Sequence, residues 1–219
     1  MIEISSQILF YLEVLIYLSA TLMHLTKKNR SIIFLYLFQS LITTVLLVIF
    51  SIEKFSESLV FVIFLTFLVK VILAPLFFMK LVKRHQLQIA VSTYLNIPMT
   101  LLVLTILTAV THYHFLEPLT SLSPGEEKLL LLSVATILIS LFLIINRKGA
   151  LSQMIGILSL ENAIVSFASF ARLEHNPGLQ IGIIFDLLVW TIIATVFVSM
   201  IFRKFGTLNI TSIKKTLEE

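Results

Sequence analysis

The chain is a succession of long apolar runs separated by short polar breaks, near residues 6–25, 31–51, 58–80, 89–111, 128–145, 150–171 and 179–202. Each run is about 20 residues, enough for a helix to cross a hydrocarbon core about 30 Å thick. A membrane β-strand would alternate in character and needs only about 10 residues. The pattern therefore predicts an all-α polytopic membrane protein with seven transmembrane helices and almost nothing left for a soluble domain. Met1 to Gln7 contains an acid and no basic cluster, unlike the positive leading region of a cleavable signal peptide. The first run is thus expected to remain as a helix.

Composition agrees, with 58% hydrophobic and 13% charged residues and a mean hydropathy of +1.04; soluble domains carry about 25% charged residues. The 16 basic residues then orient the helices. Lys27, Lys28, Arg30, Lys80, Lys83, Arg84, Arg147, Lys148, Arg203, Lys204, Lys214 and Lys215 fall on one side, and only Lys54, Lys128 and Arg172 on the other. The positive-inside rule puts the first side in the cytoplasm, so the N-terminus is expected outside and the C-terminus inside, which requires an odd number of spans. Because the bases are scattered among short turns, the net charge of +4 is a topology signal and not a nucleic-acid footprint. With no cysteine, the chain has neither disulfides nor thiolate-held iron-sulfur clusters. Any redox chemistry must belong to a partner.

The connection from His112 to Glu127 contains Glu117-Pro118 and Ser123-Pro124-Gly125, strong turn punctuation. Within a single membrane domain, 1–219, it divides a four-helix half, 1–111, from a three-helix module, 128–208. A polar tail, 209–219, follows. Each half reads as a helix, a tight basic turn (Lys27-Lys28-Asn29-Arg30 or Asn146-Arg147-Lys148-Gly149), a second helix, and a third with an ionisable group, Lys70 or Asp186. Such a duplication would be parallel, with the fourth helix as connector, although apolar helices resemble one another easily.

Four ionisable side chains fall inside the expected spans: Glu13, Lys70, Glu161 and Asp186. A charge at the bilayer centre costs roughly 2.5 to 3.5 kcal/mol on insertion scales, so such residues commonly serve ions, protons or substrate. Counted at the helical rise, Lys70 and Glu161 lie near the midplane, with Glu13 and Asp186 somewhat outward. They form a layer, which suits lateral proton passage and not a transmembrane column. The competing reading is that these are polar pairs that set helix register, and Glu13 also suits a snorkelling or helix contact. Lys70 precedes Pro75 by five residues; the proline frees the Val71 carbonyl, which could hold water near the ammonium, or the kink serves packing alone. Asn162 and Ser159 supply polar groups beside Glu161, and Gly156 would permit close helix approach. His24, His85, His112, His114 and His175 all fall at helix ends or in loops; His175 is placed to assist proton exit, and none stands in a ligand cluster with metal spacing. No nucleophile and base arrangement, phosphate loop or cofactor motif is visible.

Several stretches are familiar. Asn146 to Ala163, the following run with Asp186, and Arg203 to Ser212 resemble the K subunit of respiratory complex I, a three-helix subunit with glutamates on its second and third helices. Glu161 stands about one turn beyond that family's first glutamate, and Asp186 replaces the second about one turn early. A turn's shift keeps the same helix face. Phe67 to Leu76 with Lys70 and Pro75, Leu160-Glu161-Asn162, Ile181 to Asp186 and Gly206-Thr-Leu-Asn resemble component E of hydrogenase 4, of the membrane-bound nickel-iron hydrogenases. The third helix and the last two carry this likeness.

The resemblance implies a non-catalytic subunit in the membrane arm of an energy-converting hydrogenase, in a prokaryotic cell membrane. It implies antiporter-like subunits and a membrane anchor subunit as partners, besides membrane lipid. The nickel-iron centre and iron-sulfur clusters would reside in partners, with no cofactor in this chain. Glu161, Asp186, Lys70 and Glu13 would relay protons, supported by Asn162, Ser159 and His175. Two other readings stand beside it: a subunit of a multisubunit cation/proton antiporter, and a structural scaffold without a proton role. An autonomous transporter is disfavoured, because no span is broken by paired glycine or proline at the midplane.

Overall fold

The computed structural model describes residues 6–53, 57–84, 93–111 and 125–171, with residues 192, 196, 199 and 200 beyond them. The helices are α1 Ser6–Leu25, α2 Asn29–Glu53, α3 Glu57–Thr66, a π-helical segment Phe67–Leu73, α4 Ala74–Arg84, α5 Ile97–Thr111, α6 Glu127–Asn146 and α7 Ala150–Phe170. Among the described residues there is no strand; an isolated bridge pairs Thr93 with Arg147. Five helices are long and apolar enough to cross a membrane: Ser6–Leu25, Asn29–Ile52, the composite Val60–Lys83, Glu127–Asn146 and Ala150–Phe170. Asp186 and His175 lie outside the described residues, as does the expected seventh span apart from Ile192, Val196, Ser199 and Met200. His85, His112, His114 and the tail are outside as well.

The fourth expected run, 89–111, is not helical throughout. Thr93 bridges to Arg147, the Tyr94 N–H donates to the Asn146 carbonyl at 2.9 Å, and the Leu95 N–H donates to Asn146 Oδ1 at 2.9 Å. Asn96 then starts α5: its Oδ1 accepts the Met99 N–H at 3.0 Å and its carbonyl accepts the Thr100 N–H at 2.9 Å. This is an asparagine cap, and Pro98 fits the first turn because its missing N–H would have no intrahelical partner there. The 15 residues of α5 are fewer than a perpendicular crossing of the hydrocarbon requires.

Helices α1, α2, α7 and α6 pack in a ring, each against the next. The composite third helix leans on α2, and α5 leans on α6. The ring is built from the two helix pairs joined by basic turns, and one turn secures the other pair. Arg147 donates through Nη2 to the carbonyls of Met23 and His24 (3.1 Å), two of the orphaned C-terminal carbonyls of α1, and to that of Thr26 (2.8 Å) just beyond the helix. Burial draws the guanidinium down to about 10, so it remains charged at neutral pH. His24, a helix-end histidine by sequence, is buried here: Nε2 donates to the Ile139 carbonyl at 3.0 Å, and the ring stacks on Phe142.

Small residues set how closely the ring closes. Ser152, Ser159 and Ser166 recur every seven residues on α7 and are buried, as membrane helix interfaces favour. Ser159 and Ser140 share a hydrogen bond at 3.0 Å. At Gly156 a Cβ would stand 2.9 Å from Ile144 Cγ1 and 3.3 Å from its backbone nitrogen, so the close approach expected of this glycine is to α6. Two apolar layers occupy the ends of the ring. Met23, Ile32, Tyr36, Leu143 and Ile155 belong to the layer nearer the basic turns, and Leu9, Ile42, Leu46, Leu130 and Phe170 to the opposite one. Polar groups fill the level between them.

Candidate functional site: a buried polar seam

The seam begins with Pro75. It has no N–H to give the Val71 carbonyl, and its ring crowds that oxygen. The helix widens on its N-terminal side: Phe67–Leu73 is π-helical, and the Ala74 N–H reaches the Val69 carbonyl, five residues back. Single π turns of this kind recur at functional sites. Lys70 lies in the middle of the widened segment, and its side chain is only 1% exposed.

Two consecutive residues of α7 meet its ammonium. Lys70 Nζ forms an ion pair with Glu161 Oε1 at 3.1 Å and donates to Asn162 Oδ1 at 3.1 Å. Side chains of α7 thus hold the ammonium directly. Glu161 keeps 16% of its side chain exposed, which makes it the more accessible member of the pair.

From Asn162 the seam crosses to α2 and α1. Asn162 Nδ2 donates to Ser40 Oγ at 2.9 Å, with Gln39 Oε1 more distant at 3.5 Å. Gln39 Nε2 in turn donates to the Ile16 carbonyl at 3.3 Å. One turn from Ile16, Glu13 is fully buried, which overturns the snorkelling alternative. Ser166, one turn beyond Asn162 on α7, donates its hydroxyl to Glu13 Oε2. Thr136 Oγ1 lies 3.5 Å from Glu13 Oε1 and has a shorter bond, 2.9 Å, to the Leu132 carbonyl.

The structure thus joins Lys70, Glu161 and Asn162 directly, while Glu13 is held separately by Ser166, one turn from Asn162 on the same helix. Ser159 is buried on α7 but turned to Ser140, so it supports the α6 contact and not the ion pair. Sequence reasoning passed over Gln39, Ser40, Thr136 and Ser166. Gln39-Ser40 could have been found, since a paired amide and hydroxyl in the centre of an apolar run is a costly choice without a partner. The serines and threonines carry no such mark, because a hydroxyl can bond back to its own helix.

Chemically, an ion pair and a buried acid stand about one turn apart along α7, the first held by an amide and the second by hydroxyls. The amides carry no charge and serve to orient the lysine and the glutamates. No group of three or more potential metal ligands occurs among the described residues. The chain matches no family model, curated protein or solved structure.

Proposed function

We propose that this chain is a non-catalytic, multi-pass subunit in the membrane arm of an energy-converting nickel-iron hydrogenase of a prokaryotic cell membrane. In this reading it spans seven times with its N-terminus outside. It passes protons laterally through Glu161, Lys70 and Glu13, with Asp186 as a further station, to antiporter-like neighbours and the anchor subunit. The observation that carries the reading is the buried Lys70–Glu161 pair held by Asn162, with a second buried acid, Glu13, bound to Ser166 one turn further along α7. Redox change in a partner would shift their protonation, and each charge moved against 100 mV stores about 2.3 kcal/mol.

The test uses the assembled complex, isolated in gentle detergent with its partners identified by mass spectrometry. A hydrogenase large subunit and hydrogen turnover in that fraction support the assembly; antiporter subunits without hydrogenase assign the chain to the rival complex. Glu161→Gln, and the paired Lys70→Met with Glu161→Leu, are then reconstituted into vesicles. Assembly and turnover retained with proton translocation lost is the expected result; unchanged translocation overturns the relay. A scaffold without a proton role is the second reading, favoured by the direct Lys70–Glu161 pairing, which by itself would register the third helix against α7.

A further inference from the structure

At the basic end of the bundle a cavity of about 570 Å³ lies between the end of α1, the start of α2 and the middle of α4. Its character changes along its length. Thr26, Arg30 and Ser31 stand at one end, where α1 has finished and α2 is beginning, and Phe34, Leu37 and Met79 line the remainder. From Arg30 to Leu37 the groove runs about 10 Å down α2 at the helical rise. Arg30 is exposed and forms no ion pair among the described residues. Lys27, Lys28 and Lys80, the last beside Met79 in sequence, are exposed as well.

We propose that this groove binds an anionic phospholipid, with its phosphate on Arg30 and one acyl chain along Phe34, Leu37 and Met79. The occupant must combine a negative end with a hydrocarbon end, in that order and over that short distance. A free phosphate would leave the apolar wall uncovered. A purely apolar helix would bring nothing to the guanidinium, which sits at the helix ends where headgroups lie. Basic pockets between membrane helices on the positively charged side recruit anionic headgroups for the same electrostatic reason.

The test is native mass spectrometry of the full, delipidated chain titrated separately with dioleoyl-phosphatidylglycerol and dioleoyl-phosphatidylcholine. A basic residue near the surface is worth about 1 kcal/mol, so the anionic lipid should be favoured about fivefold. Arg30→Gln should erase that preference, and Leu37→Trp, which fills the groove, should reduce binding of both lipids. Lys83→Gln, an exposed charge at the same end, should leave the preference in place. Equal binding of the two lipids overturns the proposal, as does a preference that survives Arg30→Gln or falls equally with Lys83→Gln. A photo-reactive residue at position 34 in native membranes should label lipid; labelling of a protein in its place overturns the proposal too. Because Arg30 has no ion pair to lose among the described residues, retained helix content by circular dichroism shows that its variant is folded.

Discussion

Lys70 and Glu161 stand 3.1 Å apart, the lysine fully buried and the glutamate mostly so, and that proximity governs what substitution does there. Removing one charge strands the other, and breaking a buried pair costs about 3–5 kcal/mol, whereas replacing both partners by apolar groups of similar volume is close to neutral or stabilising. Lys70→Met alone and Glu161→Leu alone should each destabilise the chain by about that amount, and the double variant should recover most of the loss. Unfolding of the purified chain in detergent, followed by tryptophan fluorescence or circular dichroism, measures the cycle. Additive single effects would mean that the two residues do not hold one another. Arg147 stands in a different position, since its Nη2 donates to backbone carbonyls that no substitution can remove. Lysine there would keep the charge and lose the planar fork.

At the scale of the element, the third helix is decided by Pro75. A straight α-helix through residues 57–84 would aim Lys70 in another direction, because the π turns between Phe67 and Leu73 change the angular relation of α3 to α4. Pro75→Ala returns the missing N–H and removes the ring clash, so the widened segment should revert to α-helix and turn Lys70 away from α7. The readout is the coupling between Lys70 and Glu161 from the same mutant cycle. It should fall towards zero in the Pro75→Ala background, while an unchanged coupling would show that packing against α2 aims the lysine unaided. The α5 start follows a similar logic, in that Asn96 and Pro98 define where the helix begins even though the apolar run extends further back.

For the molecule as a whole, the ring is a four-helix arrangement in which the polar level is enclosed by apolar layers and the α6–α7 contact is the most extensive among the described helices. Without lipid-to-helix hydrophobic gain, such a contact depends on small residues and packing. The absence of native cysteine makes it directly testable. Ser140→Cys with Ser159→Cys, whose oxygens stand 3.0 Å apart, should form a disulfide under mild oxidation, detected by loss of thiol alkylation. Ser159→Cys with Ile145→Cys, the latter exposed on the outer surface of α6, should not. The reverse outcome would mean that α6 presents another face to α7.

The order of apolar runs was enough to predict an all-helical membrane protein and to bound α1 at 6–25 and α7 within one residue of its observed end. Membrane insertion depends on local hydropathy, and local hydropathy is written along the chain. The same reasoning singled out Glu13, Lys70 and Glu161, because a charge in an apolar run is costly wherever it ends up. What the sequence left open is which neighbour each one meets. Lys70 and Glu161 are separated by about 90 residues, and their meeting depends on α7 packing beside α2 and on the phase set by the π segment. Gln39 and Ser40 acquire their place in the seam only from α7, and Arg147 acquires its role only because the end of α1 comes to it. Hydropathy determines depth, whereas azimuth and partner are settled by helix-to-helix contact, which no single run encodes.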